Sequence, residues 1–260
     1  MLRKVKEVIP MISSLPPQFW FSFLILLIFT AAIPVYGQGG PPMITDDPFT
    51  PENGHWENNF AIQYTETASS KEIDAPAVDI NYGYGDHVQL KIEMPIMKYL
   101  FNDDGSLIGG GNVKIGIKAR FLDEKQNGFA VSTYPQYEFN NSSIGEKGEA
   151  PQFFLPLEVG KTVGRFHYAA EVGYSFLASA PDELAYGIVA GYDQSEQCEL
   201  LVEVHGENQY HVGPAEIIFN LGLTYRLGPS LEFLASAGTT VYSPEPSNKY
   251  VAYLGIRWML

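Results

Sequence analysis

From His55 to the end of the chain, apolar and polar residues alternate with a period of two in segments of about ten residues. Residues 112–118 read Asn-Val-Lys-Ile-Gly-Ile-Lys, so the apolar side chains of this segment all fall on one face. Such alternation is typical of β-strands, whose successive side chains point to opposite faces. Helical three-to-four spacing is nowhere sustained, and the pattern therefore predicts an all-β chain.

The alternation predicts about twelve strands, an even number of the kind that bacterial single-chain barrels have. These strands cover residues 56–65, 78–84, 88–94, 112–121, 129–139, 152–159, 166–176, 186–192, 198–207, 217–225, 231–237 and 250–260. Pro135 weakens the fifth strand, because proline cannot donate a hydrogen bond to the ladder.

The links between these strands alternate in length. Residues 84–86, 122–127, 161–165, 193–197 and 228–230 form short links, whereas 96–110, 140–150, 207–214 and 239–248 are mostly longer. Aromatic residues lie near both ends of the strands, as in the two interfacial girdles of membrane barrels. The sequence thus predicts an antiparallel transmembrane β-barrel with both termini periplasmic. A soluble β-sandwich has the same period but explains neither the girdles nor a polar interior.

The N-terminus has the pattern of a secretion signal. Arg3, Lys4 and Lys6 precede an apolar run over residues 19–33, and small or short residues follow up to Gly37. The run is shorter than a spanning helix requires, so a cleaved signal is favoured over an uncleaved anchor. We expect a signal peptide over 1–37, a periplasmic segment or partial plug over 38–54, and an outer-membrane barrel of a Gram-negative bacterium over 55–260.

Charge and cysteine content exclude several classes of protein. The formal net charge of −14 argues against a nucleic-acid partner, because phosphate contacts need a surplus of Lys and Arg. The single cysteine, Cys198, excludes an internal disulfide framework, and the residues around it do not have the spacing of a zinc site. The sequence predicts no metal site and no cofactor.

The polar faces of the strands carry the candidate functional residues, which would line the lumen. They are Asp79, Lys91, Glu93, Lys114, Lys118, Arg120, Glu158, Glu171, Glu199 and Glu203. The basic members come from the third and fourth strands, and most of the acidic ones come from the sixth, seventh and ninth, so the two groups are expected on largely opposite walls. The resulting field would orient and sort charged or dipolar solutes. Alternatively, the charges pair and plug a narrow barrel.

Several segments resemble a known family. They are Thr45-Asp46-Asp47-Pro48, Gly54-His55-Trp56-Glu57, Asn81-Tyr82-Gly83, residues 89–95 (Gln-Leu-Lys-Ile-Glu-Met-Pro) and residues 111–118 (Gly-Asn-Val-Lys-Ile-Gly-Ile-Lys). Together they resemble the outer-membrane proteins named meta-pathway phenol-degradation or transporter proteins, with Asn112 where the family is expected to carry Asp. The resemblance implies a barrel and passage of small organic molecules, and it fixes no substrate and no catalytic residue.

The sequence therefore predicts a passive outer-membrane channel or facilitator for small solutes, including aromatic or hydrophobic ones, and not an enzyme. Its expected partners are outer-membrane lipid, small-molecule solutes and the barrel-insertion machinery. One alternative is an outer-membrane lipid hydrolase, for which His167, Ser175, His205 and Asn208 offer suitable side chains. His167 and Ser175 lie about 27 Å apart along a strand, too far to share a proton, whereas His205 with a serine of a neighbouring strand stays open. The other alternative is a closed structural barrel.

Overall fold

The computed structural model describes residues 40–103, 105–144, 152–178, 181–209, 215–243 and 249–260. The predicted signal peptide over 1–37 lies outside these residues. The strands are β1 (Trp56–Glu66), β2 (Ser70–Tyr84), β3 (Val88–Pro95), β4 (Lys98–Asn102), β5 (Gly105–Gly109), β6 (Lys114–Leu122), β7 (Ala130–Thr133), β8 (Gln136–Glu138), β9 (Gln152–Val163), β10 (Phe166–Leu177), β11 (Glu183–Asp193), β12 (Cys198–Gln209), β13 (Glu216–Gly228), β14 (Leu231–Tyr242) and β15 (Tyr250–Met259). A short helix, α1 (Glu124–Asn127), joins β6 to β7.

The strands close into an antiparallel barrel. All strands except the β4–β5 hairpin form the wall of the barrel, and, with β7 and β8 counted as one, each wall strand pairs with the next one along the chain. The ring closes where β1 pairs with β15 over ten residue pairs, from Glu57 opposite Met259 to Glu66 opposite Tyr250. Since β7 and β8 together form one wall position between β6 and β9, the ring has twelve positions. The prediction of an all-β antiparallel barrel of about twelve strands is confirmed.

The structure departs from the predicted pattern at two prolines. The fifth strand is interrupted at Tyr134 and Pro135, as the missing proline donor suggests, and its two halves are β7 and β8. The long link predicted over 96–110 instead contains the hairpin of β4 and β5, which pairs with an extension of β2 that begins at Ser70. Alternation is broken near Pro76, so the sequence pattern did not reveal this extension.

The outer surface of the barrel is apolar along the middle of its strands. Large apolar side chains that point outward and are exposed include Phe60, Ile62, Leu90, Ile115, Ile117, Leu155, Leu157, Val172, Ile188, Leu221 and Leu254. A band of this kind is stable against hydrocarbon and unfavourable in water. Within the described ranges, no helix is long and apolar enough to cross a membrane.

Two ends of the barrel can be distinguished. The turn end carries the tight links 85–87, 164–165, 194–197 and 229–230, and the loop end carries the opposite connections. Trp56 and Leu260 exchange backbone hydrogen bonds of 2.9 Å at the turn end, so both ends of the barrel domain meet there. That this end faces the periplasm stays a prediction.

Candidate functional site

Residues 40–50, which we call the plug, lie inside the lumen and belong to no strand. Thr45 and Pro48 are fully buried, although they precede the first wall strand. The backbone NH groups of Ile44 and Thr45 donate to the two carboxylate oxygens of Glu203, at 3.2 and 2.5 Å. The plug therefore docks on the wall through hydrogen bonds to side chains and not through strand pairing.

Glycines on the inward faces of the wall strands make room for the plug. A Cβ atom at Gly187 would overlap the Thr45 side chain, and one at Gly222 would overlap Met43. A Cβ at Gly160 would lie 2.7 Å from the ring of Pro48, closer than real contacts allow. These glycines interrupt the polar face of three strands, a signal that the sequence analysis did not use.

Asp46 of the plug connects to two lysines of the wall. Lys118 is 1% exposed, and its ammonium group lies 2.9 Å from Asp46 and 3.3 Å from Glu158. It also donates to the backbone carbonyl of Asp47. The Lys91 ammonium lies 3.7 Å from Asp46, 3.4 Å from Asp79 and 2.7 Å from Glu93. Lys114 extends the network with a contact of 3.4 Å to Glu93.

The charge of Asp46 persists at ordinary pH. Burial raises the pKa of its carboxyl, but Lys118 and Lys91 outweigh burial and lower that pKa to about 2. Because the pKa is lower in the folded protein than in an unfolded chain, where Asp titrates near about 3.9, these ion pairs stabilise the docked plug above about pH 4. The stabilisation is lost as the pH falls through about 2.

Tyr134 is a member of this network that the sequence analysis missed. It is 1% exposed, and its ring lies 5.4 Å from the Lys91 ammonium and 5.2 Å from that of Lys118. Gly116 provides the space, since a Cβ there would lie 2.4 Å from the nearest ring atom of Tyr134, closer than real contacts allow. Tyr134 lies on the same face as the buried Ala130, Ser132 and Gln136, so the alternation continues through the interruption at Pro135 and turns the ring inward.

The expected separation of basic and acidic residues onto opposite walls is wrong for Glu158. Only the wall position of β7 and β8 separates β6 from β9, and Lys118 and Glu158 form a direct ion pair across it. Arg120 lies apart from the network, at the turn end, where it contacts Asp123 at 3.5 Å and the carbonyl of Asp86 at 2.6 Å. The order of the strands did not predict the pair of Lys118 and Glu158, because it ignores that a lysine side chain can reach across one neighbouring strand.

Glu171 on β10 and Glu203 on β12 are buried and point inward. Glu203 also accepts a hydrogen bond of 3.0 Å from Asn220. Glu199 lies nearer the turn end.

Arg257 of the last strand was missed, although it alternates with the outward Ile256 and Trp258. It contacts Glu57 at 3.3 Å and Glu232 at 3.4 Å, and it donates to the carbonyl of Pro41 in the plug.

Between the plug and the loop end of the barrel lies a cavity of about 480 Å³, which we call the vestibule. Its floor is formed by Pro41, Met43, Ile44 and Asp46, and its upper wall includes residues at the loop end such as Gln63, Glu138, Gln152 and Glu183. The carboxylates that line it are Asp46, Asp74, Asp79, Glu93, Glu138, Glu171, Glu183 and Glu207, against Lys91, Lys98 and Lys114. Eight acids against three lysines leave a formal excess of five negative charges.

The histidines considered for hydrolysis have other partners. His205 Nδ1 lies 3.2 Å from the Thr45 hydroxyl and its Nε2 lies 3.4 Å from Glu207. Thr45 has no exposed surface, so a substrate cannot reach this hydroxyl while the plug is docked. The Ser175 hydroxyl accepts a hydrogen bond of 3.0 Å from Gln152, whereas His167 contacts Asp193 at 2.9 Å.

No protein-family model matches the chain, and no curated protein matches it. Among solved structures, it is similar to the COG4313 outer membrane channel from Pseudomonas putida F1, with a TM-score of 0.69 and 10% identity over 82% of this chain and 98% of that chain. The fold is that of an outer-membrane β-barrel. The KdgM porin matches with a TM-score of 0.53 and 10% identity over 77% of this chain and 98% of that one. The translocator domain of the autotransporter NalP from Neisseria meningitidis matches with a TM-score of 0.53 and 10% identity over 80% and 89%.

Proposed function

We propose that this chain is an outer-membrane channel for the passive passage of small solutes. The observation that carries the proposal is the vestibule, a polar cavity inside a closed barrel whose floor is the plug. Two of the similar solved structures are described as an outer membrane channel and a porin, which agrees with such a role. The apolar outer band suits a barrel surrounded by outer-membrane lipid, placed there by the barrel-insertion machinery.

The attachment of the plug is suited to displacement. A strand of the wall shares a continuous ladder with two neighbours, whereas the plug is held by a few side-chain hydrogen bonds and the ion pairs of Asp46. Each of its contacts can be exchanged for water once the plug moves toward the turn end. In this proposal, a solute enters the vestibule from the loop end and passes when the plug leaves its docked position.

The chemistry of the vestibule defines the class of solute. Its excess of carboxylates favours cations and dipolar molecules over anions. Met94, Phe154 and Tyr253 add apolar and aromatic surface among these charges. This combination suits small organic molecules with an aromatic ring and a polar group, in agreement with the resemblance to meta-pathway phenol-degradation proteins.

The paired charges favour a second candidate, a closed structural barrel. Carboxylate partners are present for Lys91, Lys114, Lys118 and Arg257. A permanently closed lumen would require such pairing of its charges. Glu171 and Glu183, however, face the vestibule with no ion pair to a described residue. Conductance distinguishes the two candidates, because a barrel closed by its own wall stays closed when the plug is removed.

In planar bilayers under a salt gradient, the reversal potential is expected to show preference for cations. Glu171→Gln combined with Glu183→Gln replaces two carboxyl groups of the vestibule by neutral amides and should reduce this preference without unfolding the barrel. The matched control is Glu52→Gln combined with Glu196→Gln, which removes two exposed carboxylates outside the vestibule. Anion selectivity of the unmodified protein, or an equal loss of selectivity in the control, would contradict the acidic vestibule as the selective element.

A further inference from the structure

Three potential metal ligands converge at the turn end of the lumen, outside the vestibule. His167 lies on β10, Asp193 ends β11 and Glu199 lies on β12, so three neighbouring strands each contribute one side chain. Asp193 stands directly opposite Glu199 in the ladder, and His167 stands opposite Gly191. One donor atom from each of the three side chains lies within 4.8 Å of the other two.

Gly191 shapes this cluster. A Cβ atom at this position would overlap the Glu199 Oε1 oxygen, so only glycine lets the carboxylate lie in the space beside His167. A substituent would push the carboxylate away from the imidazole. The ladder therefore places two acids and one histidine around a gap in the side chains of the inner surface.

Among the described residues, no lysine or arginine forms an ion pair with Asp193 or Glu199. Glu199 is 94% buried, since only 6% of its surface is exposed, and its Oε1 has no hydrogen-bond partner among the described residues. Like charges directly opposite in a ladder destabilise it, and a buried oxygen without a partner adds to that cost. The nearby guanidinium of Arg165 is directed to the carbonyl of Gln194 and to the ring of Tyr192.

We propose that His167, Asp193 and Glu199 bind a divalent transition-metal ion, with Zn²⁺ as the best fit. Imidazole nitrogen and carboxylate oxygen are both zinc donors, and the imidazole disfavours Ca²⁺ and Mg²⁺. Zinc bonds of about 2.0–2.1 Å place tetrahedral donors about 3.4 Å apart. The donors of His167 and Asp193 lie 2.9 Å apart and all three donors lie within 4.8 Å of one another, so small side-chain movements would reach that spacing.

The surroundings suit an ion that exchanges with the solvent. The Asp193 side chain is 40% exposed, which provides an entry path and leaves a coordination position for water. The second ring nitrogen of His167, Nδ1, lies 3.5 Å from the Thr162 hydroxyl, the kind of contact that orients a metal-bound imidazole. A bound ion would join three strands at the turn end, whether or not the lumen conducts.

Zinc binding is measured on the full mature chain, folded in detergent, by Co²⁺ absorption and by competition of Zn²⁺ with a chromophoric chelator. His167→Gln, Glu199→Gln and Asp193→Asn should each weaken the affinity by about tenfold or more. The exposed controls at the same end, His87→Gln and Glu196→Gln, should leave it within about twofold. Heat-dependent migration in detergent gels verifies that each variant is folded.

Two results would overturn the proposal. One is an unmodified protein that binds Zn²⁺ no more tightly than the folded Asp193→Asn variant, which changes only the most exposed ligand. The other is an equal loss of affinity in the His87 and Glu196 controls, which would show that exposed carboxylates and imidazoles bind the ion without a built site.

Discussion

Deletion of residues 40–50 is expected to raise the conductance of the barrel several-fold in planar bilayers. The plug forms the floor of the vestibule and fills the lumen next to Glu203, Lys118 and Arg257. Once it is removed, water can solvate these side chains, so the charges that it leaves behind face solvent and not a dry interior. The wall keeps all of its strand pairing, and the variant should therefore fold.

Single-channel recordings on the deletion variant and the unmodified protein measure this effect directly. Heat-dependent migration in gels checks that the barrel has formed. Glu203→Gln is a milder variant, since it weakens the acceptor of two plug NH groups and should increase the frequency of open events. If the folded deletion variant conducts as little as the unmodified protein, the closed structural barrel is favoured. The side chains of the wall would then block the path by themselves.

Ile117→Arg is expected to destabilise the barrel by about 2–4 kcal/mol in lipid, because it places a charge on the outer face near the middle of β6. Gln63→Arg is the matched control. It introduces the same side chain at the edge of the acidic vestibule, where water and carboxylates surround it, and its cost should be far smaller. Urea unfolding from lipid vesicles, followed by tryptophan fluorescence, gives both free energies of unfolding.

A similar cost for the two variants would mean that the inward and outward faces of these strands have been assigned wrongly.

Asn112, which precedes β6, is a less suitable position than Gln63 for the control substitution. The Asn112 side chain accepts hydrogen bonds from the backbone of Asn141 and Ser142, so its replacement would disturb a loop as well as a charge balance.

The strands of the wall could be predicted from the sequence because each has one face against lipid and one against the lumen. Periodicity did not reveal β4, β5 or the first half of β2, where neither face is uniformly apolar. Those strands form because they pair with each other, and Lys98 bridges them with a contact of 2.6 Å to Glu72. Pairing of this kind depends on the partner strand, which alternation within one segment does not reveal.

For the site, alternation predicted a polar inward face that carries charged residues, but it did not predict which of them meet. The pairing of Lys118 with Glu158 depends on the curvature of the barrel and on the divided strand between them. The docking of residues 40–50 depends on Gly160, Gly187 and Gly222, which interrupt the polar faces of their strands but do not identify the segment that fills the space. Steric complementarity between distant segments requires the three-dimensional fold.

If the plug leaves its docked position as proposed, its short connection to β1 limits how far it can move. Only residues 51–55 separate the plug from Trp56 at the start of the wall, so a released plug stays tethered near its own docking surface. Its return is then an intramolecular event, governed by an effective concentration on the order of millimolar. A free peptide with the same sequence would compete poorly with this tethered copy, and the occupancy of the lumen is independent of how much protein the membrane contains.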